Sequence, residues 1–328
     1  MMSVGGVLMW KDDYKRLFFS EHTTKESTYD GFKLKLEKLA NPLYKYSGIN
    51  ERTLANLEND VVWLSNAAMF NDPYDSALTI GARIHHDSED KQKLYERFAK
   101  IFKMSISDVE MIMDGFDHEE GLRRLLATLP QFKGNAEVID NVVGKYVTDT
   151  DMLFEEYASD ITSFYQKRTF ATCFSEISDS MLMWSHYADN HQGMVLKYEF
   201  INLDLTLDKH RDILMGLNPV LYTENLLNLK DYQSFREKIS LITLAAISKS
   251  NEWSYENEWR LIIHEESDER GMAVKLIKPS CIILGARVSK MHKIMLSLEA
   301  KKKNIPIKQI KLDNTKYHLS VVDFNEFD

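Results

Sequence analysis

The segment that most restricts this fold is Phe170–Phe200, FATCFSEISDSMLMWSHYADNHQGMVLKYEF. It opens and closes as apolar strand, yet holds Ser175, Glu176, His186, Tyr187, Asp189, Asn190 and His191 within seventeen residues. A chain buries such a stretch only by giving its polar groups partners. Thr169–Phe174 reads as a strand, Ser180–Ala188 as one or two helical turns, and Gly193–Phe200 as a returning strand, with Gly193 suited to a close turn. Two readings stay open here: His186 and Tyr187 as core hydrogen-bonding partners, or as pocket residues.

A second segment favours the pocket. Trp253–Ile263, WSYENEWRLII, reads as a strand whose alternating side chains set Glu256, Glu258 and Arg260 on one face and Asn257, Trp259 and Leu261 on the other. Two carboxylates on one buried face repel and desolvate each other unless a cation or donors attend them. Arg260 can neutralise Glu258 as a structural ion pair. Alternatively, one carboxylate accepts a proton or stabilises developing positive charge while the other orients it.

The rest of the chain frames these segments. Tyr29–Leu39 predicts a short helix ended by Asn41-Pro42, and residues 1–41 read as an N-terminal extension. A single domain is expected over 42–328. Leu43–Tyr46 and Val61–Ser65 are strands, and Asn50 caps a helix over Asn50–Asn56. Asn66–Asp75 reads as a turn held by Asn71, Asp72 and Pro73, or as a loop bordering a ligand pocket. Residues 82–168 read as a helical insertion, with helices over Lys91–Phe102, Ser107–Met113 (capped by Ser107), Glu119–Leu129 and Asp149–Lys167. Asn228–Lys249 reads as one long helix and His292–Lys302 as another. Met272–Ile277, Cys281–Leu284, Ile305–Leu312 and Tyr317–Phe324 are the closing strands. Irregular spacing with helices clustered in the middle predicts an α+β fold, a mixed and largely antiparallel sheet with a helical insertion.

Composition narrows the function. A net charge of -9 over 328 residues disfavours a protein that wraps nucleic acid with its whole surface, while leaving room for a local basic groove. Cys173 and Cys281 form no ligand pair and sit in apolar runs, which points to a reducing compartment. No apolar run reaches 18 residues and MMSVGGVLMW lacks a basic leader, so a cytoplasmic protein without membrane partner is expected. HExxH, paired CxxC, GxGxxG and the nucleophile elbow are absent. His186 and His191 are five residues apart and do not stack on a helix, so no metal is predicted.

LYKY at 43–46, FNDPYD at 70–75, CFS at 173–175, MWSHYADNHQG at 183–193 and YENEWR at 255–260 resemble, in order, the motifs of a widespread bacterial domain family of unknown function, over residues 42–265. A more distant resemblance is to ADP-ribosyltransferase-like domains. That resemblance implies an NAD site in which a polar or basic first strand (Tyr44, Lys45, Tyr46), a middle-strand end (Ser175, with Tyr187) and a later Glu (Glu258 or Glu256) surround the dinucleotide. Arg260 joins the binding set, and His186 or Tyr187 positions the diphosphate or nicotinamide side. The usual first-strand Arg or His is absent here. The implied activity is transfer to a nucleic-acid or protein acceptor, in stress or phage defence. The alternatives are a non-catalytic nucleotide or nucleic-acid binding module, with Tyr44, Trp184, Tyr187 and Trp259 as stacking rings, or a metal-dependent nuclease built on His186, Asp189 and Glu256. The sequence leaves the oligomeric state open.

Overall fold

Alternating burial builds the sheet. Val62 and Leu64 point inward from one strand, and the seven-residue run Thr169–Ser175 is buried on both faces at all positions but Cys173, as expected of a central strand. In the computed structural model, which describes residues 4–20, 22–79, 88–228, 238–267 and 269–324, the strands are β1 Leu43–Ser47, β2 Val61–Asn66, β3 Leu78–Thr79, β4 Thr169–Ser175, β5 Met194–Tyr198, β6 Leu217–Pro219, β7 Leu221–Thr223, β8 Leu227–Asn228, β9 Ser248–Ser250, β10 Glu258–His264, β11 Gly271–Lys275, β12 Cys281–Leu284, β13 Ile307–Leu312 and β14 Leu319–Asp323. Contacts divide the chain into two units. The first comprises Met1–Ala77, Thr162–Leu227 and Tyr232–Asp328; the second comprises Leu78–Ile161 and Asn228–Asp231.

The first unit holds a ten-stranded sheet ordered β11-β2-β4-β1-β5-β12-β13-β14, with β10 on β4 and β6 on β10. Its pairs are antiparallel except β12 with β13, which are parallel. The fold is therefore α+β with a largely antiparallel sheet core. The two edges of β4 are used differently. One is paired along its whole length with β10, from Glu258 opposite Ser175 to His264 opposite Thr169. The other is shared: β1 meets it at Tyr44–Ser175, and β2 at Ser65–Ala171 and Asn66–Phe170. The sheet forks between β1 and β2, and Thr172–Phe174 form the floor of the fork.

Helices close the sheet. α1 Val4–Phe19 and α2 Lys25–Lys38 occupy the segment read as an N-terminal extension, and both pack into the first unit. Trp10 stacks on Trp259 with ring centroids 6.1 Å apart, and the Tyr14 hydroxyl donates to Asn218 Oδ1 at 2.7 Å. Lys35 donates to the Leu214 and Met215 carbonyls at 2.8 and 3.1 Å, and burial lowers its pKa to about 7. α3 Glu51–Glu58 is capped by Asn50, whose side chain accepts from Thr53 N–H, as the sequence suggests.

In the second unit, α4 Ser88–Phe102, α5 Ile106–Met113, α6 His118–Thr128 and most of α7 Ala136–Gln166 enclose Phe98, Val109, Leu125 and Val143. Two expectations are corrected here. The α5 cap is Ser105 rather than Ser107, because Ser105 accepts from Asp108 N–H. The helix expected at Asp149 begins at Ala136 and runs 31 residues. Gly144 lowers local helix propensity without breaking a helix whose other residues carry the pattern.

α8 Met181–Tyr187, α9 Asp208–Gly216, α10 Lys238–Ile247 and α11 Lys290–Lys303 complete the described helices. The long helix expected over Asn228–Lys249 lies partly outside the described residues. Where it is described it ends at Ile247, and Ser248–Ser250 pairs in parallel with Leu221–Thr223 as a short strand.

Candidate functional site

The fork opens into a cavity of about 450 Å³, within the range of roughly 300–1,000 Å³ of small-molecule sites. Tyr44, Lys45, Tyr46, Ser175, His186, Tyr187, Glu256, Glu258 and Arg260, the nine residues of the expected dinucleotide site, all line it, whereas Trp184, Asp189 and Trp259 of the alternative readings are not among its lining residues. So do Trp63, Phe70, Asp75, Cys173 and Lys249. Residues opposite each other in an antiparallel pair share a face, and the pairings Tyr44–Ser175 and Ser175–Glu258 set one lateral row across β1, β4 and β10. Arg260 stands opposite Cys173 in the next row of that face.

Glu256 reaches the pocket by a route different from the expected strand alternation. Asn251–Glu256 is a 3-10 helix capped by Ser250, Asn257 is left-handed at φ 44°, and the strand begins only at Glu258. The turn is pinned by Ser175, whose hydroxyl donates to the Glu256 carbonyl at 2.6 Å and accepts from Ile177 N–H at 3.2 Å. The fully buried Ser175 is thus a positioning group for the Glu256 turn. Tyr46 likewise turns its hydroxyl to the Ile177 carbonyl at 3.0 Å and its ring edge to Trp184.

The β10 wall is a chain of alternating charge. Arg260 grips Asp75 with both terminal nitrogens, at 2.7 and 2.6 Å, and donates Nε–H to Glu258 Oε1 at 2.8 Å. Lys249 bridges Glu258 Oε2 at 2.9 Å and Glu256 Oε2 at 2.6 Å, while the Tyr187 hydroxyl donates to Glu256 Oε1 at 2.6 Å. Asp75, Lys249, Glu256, Glu258 and Arg260 are all buried. Buried ions are tolerated only when paired and hydrogen-bonded in this manner.

The environments of the two glutamates drive them apart. Burial alone would raise Glu258, but Arg260 and Lys249 outweigh it and hold that carboxyl well below the usual carboxylate range. Burial raises Glu256, and the neighbouring Glu258 charge adds to this. Burial also raises the Tyr187 phenol, reinforced by Glu256. Lys249 is pulled down by burial but carried upward on balance by Glu258 and Glu256. A carboxyl pushed down beside one pushed up is the arrangement that separates electrostatic from acid–base work.

The β1 wall is simpler. Lys45 donates to Thr172 Oγ1 and lies 5.7 Å from the Phe174 ring centre. No carboxylate pairs with it among the described ion pairs, and burial lowers its pKa. Rings of Tyr44, Trp63 and Phe70 fill out the cavity, with Arg260 5.2 Å from the Phe70 centre. Cys173 opens onto the cavity, although the protein around it strips enough hydration to push its thiol up, with Glu258 adding to the effect.

The remaining polar residues of the opening segment are structural. Asp189, Asn190 and His191 are left-handed in succession, at φ 48°, 52° and 69°. Asp and Asn tolerate that region better than most residues. Their turn lets Gly193 pass against β1, where a Cβ would lie 2.3 Å from the Ser47 carbonyl oxygen. His191 stacks on the buried Trp184, and its Nε2 lies 3.2 Å from Ser185 Oγ. His186 is exposed on the pocket rim. Trp184 and Trp259 are fully buried, so neither is a surface for stacking a base. Among the described residues no group of three or more His, Cys, Asp and Glu is arranged to hold a metal, the proposed His186, Asp189 and Glu256 set included.

Sequence reasoning missed Asp75 and Lys249. Asp75 closes the FNDPYD run, which reads as a turn or a pocket-bordering loop without marking Asp75 itself; Lys249 is hidden at the end of an expected helix. Asp75 gains its role from Arg260, 185 positions away, and Lys249 from the turn that brings Glu256 and Glu258, seven and nine positions on, back onto it.

Among the described residues no helix is long and apolar enough to cross a membrane. Comparison with curated proteins and with solved structures found no match. Residues 183–261, which carry His186, Tyr187, Lys249, Glu256, Glu258 and Arg260, match the model of a domain family described as a protein of unknown function, DUF2971.

Proposed function

We propose that the forked-sheet pocket binds NAD as a substrate and that the protein transfers the ADP-ribosyl group. The observation that carries this reading is the lateral row Tyr44–Ser175–Glu258 across β1, β4 and β10, which follows the order of the ADP-ribosyltransferase-like resemblance, with Tyr44 where that resemblance usually has Arg or His.

The chemistry is compatible with the row. Cleavage of the nicotinamide–ribose bond develops positive charge on the ribose, and an ionised carboxylate fixed beforehand stabilises it without reorganising. Glu258 is such a group. Three N–H contacts from Arg260 and Lys249, with the Cys173 thiol beside them, hold the carboxylate in place before a ligand arrives. Glu256, held by Tyr187 and Lys249, is the group that takes the proton of an incoming nucleophile. Lys45, with no carboxylate of its own among the described ion pairs, faces the ligand's diphosphate, and Tyr44, Trp63 and Phe70 offer ring surfaces to its bases.

The test is nicotinamide release from NAD, followed by chromatography. The wild-type protein should release nicotinamide, and Glu258→Gln, which keeps the shape and removes the charge, should slow release by about 100- to 1,000-fold, the scale of losing one preorganised electrostatic group. Circular dichroism of the variant checks that it folds. No release by the wild-type protein, alone or with protein and nucleic-acid acceptors, would overturn the reading.

A further inference from the structure

We infer that the acceptor modified at this site is a polypeptide rather than a nucleic acid, and that it docks on an apolar, anionic rim formed by residues 66–75 and 176–190. This rests on the transferase reading above and names its substrate class.

Two segments that line the cavity continue outward as its rim. The first supplies Met69, Phe70, Asn71 and Asp75 to the cavity, and the second supplies Met183, His186 and Tyr187. Beyond those residues the same segments expose large apolar side chains: Tyr74 at 65%, Met181 at 43% and Leu182 at 50%, beside Met69 at 55%. Exposed apolar side chains gathered at a pocket mouth mark a contact surface for a partner with apolar groups of its own.

Charge decides which macromolecule fits. Residues 66–75 and 176–190 carry Asp72, Glu176, Asp179 and Asp189 besides the buried Asp75, which is already neutralised by Arg260, and no Lys or Arg. Within the cavity Lys249 and Arg260 are already compensated by carboxylates. Lys45 faces the cavity, and Arg52 lies 5.3 Å from the Trp63 ring centre on the β2 side. Binding of a nucleic acid draws on several cations, each displacing condensed counterions from a phosphate. An anionic rim repels that polymer and accommodates a peptide with neutral or basic side chains.

The reaction balances without a further reagent. The bond between ribose C1′ and the nicotinamide nitrogen breaks, and its electron pair leaves with neutral nicotinamide. A bond forms between C1′ and the side-chain nucleophile of the acceptor, whose proton passes to Glu256 and then to solvent.

The experiment incubates the full-length protein with NAD radiolabelled in its adenylate phosphate and with a cell extract as acceptor mixture. Nicotinamide release is measured in parallel without extract. Label that protease removes and nuclease leaves is the expected result. The double variant Met181→Glu, Leu182→Glu, at positions outside the cavity lining, should cut macromolecular labelling by about tenfold, equivalent to about 1.4 kcal/mol, with nicotinamide release in the absence of extract unchanged within about twofold. Nuclease-sensitive label overturns the polypeptide assignment, as does nicotinamide release with no macromolecular label. Protease-sensitive label undiminished in the double variant overturns the docking surface. Absence of nicotinamide release overturns the transferase reading and this inference with it.

Discussion

The two walls of the pocket carry the same kinds of residue in opposite states. On the β10 wall every charge has an internal partner: Arg260 with Asp75 and Glu258, Lys249 with Glu256 and Glu258. On the β1 wall Lys45 has a threonine hydroxyl and a ring face, and no carboxylate among the described ion pairs. The first wall is fixed before a ligand arrives. The second has charge left over for one. Burial is therefore a poor guide to function here; what separates the walls is whether the buried charge is already compensated.

The comparison is broken most severely at Arg260. Arg260→Met leaves Asp75 and Glu258 buried without their cation, and removal of one partner from such a cluster costs about 3–5 kcal/mol. Denaturant unfolding should register that loss. If stability is unchanged, the β10 wall is not the internally compensated structure described.

Glu258→Gln is next, at about 2–4 kcal/mol near pH 7, since it leaves Arg260 and Lys249 partly unpaired. Its pH dependence has a definite sign. A carboxyl lowered in the folded state contributes stability above its unfolded pKa of about 4.3, and that contribution is lost as pH falls toward the folded value. The gap between wild type and Glu258→Gln should therefore hold at neutral pH and narrow below about pH 4. Glu256 runs the other way. Its raised carboxyl binds the proton more tightly in the native state, so wild type should lose stability relative to Glu256→Gln as pH rises from about 4.3 through the folded pKa. Unfolding free energies measured across pH 3–8 would separate the two; parallel curves would refute the division of roles.

Gly193→Ala tests the scaffold behind the β1 wall. The new methyl would meet the Ser47 carbonyl oxygen at 2.3 Å, a backbone atom that cannot swing away, and overpacking of this kind costs about 1–3 kcal/mol. A thermal melt checks it. Lys45→Met should have the smallest effect on stability, within about 1 kcal/mol, because no ion pair is broken and a lone desolvated cation is removed. Its effect should appear in binding instead: calorimetric titration with NAD should show affinity reduced about tenfold, the scale of one charge-assisted contact. A large stability loss with unchanged affinity would make Lys45 a structural residue like Lys35.

Much of the site was legible in the chain. The polar residues inside Phe170–Phe200 and the Glu-x-Glu-x-Arg run point to a pocket because ionisable groups in apolar strands need partners; Ser175, His186, Tyr187, Glu256, Glu258 and Arg260 line one cavity together with Tyr44–Tyr46, which the resemblance adds, whereas Glu176, Asp189, Asn190 and His191 are not among its lining residues. The route was less legible. Period-2 alternation put Glu256 on a strand, whereas a 3-10 turn and left-handed Asn257 bring it to the same pocket. Local pattern cannot reveal that turn, since Ser175, 81 residues away, holds it. Likewise His191, one of the polar residues of the opening segment, stacks on Trp184 in a left-handed turn.

The sequence by itself determined the main strands of the sheet, its largely antiparallel character, the Asn50 helix cap and the residue types of the pocket, because periodicity, capping and burial of polar groups act over a few residues. Tertiary structure alone decided that β4 divides one edge between β1 and β2, that Asp75 and Lys249 complete the charged wall, and that Lys45 lacks a carboxylate partner among the described ion pairs. Those features arise from strand pairing and ion pairing between segments up to 185 positions apart, and no local preference records which distant charge will meet which.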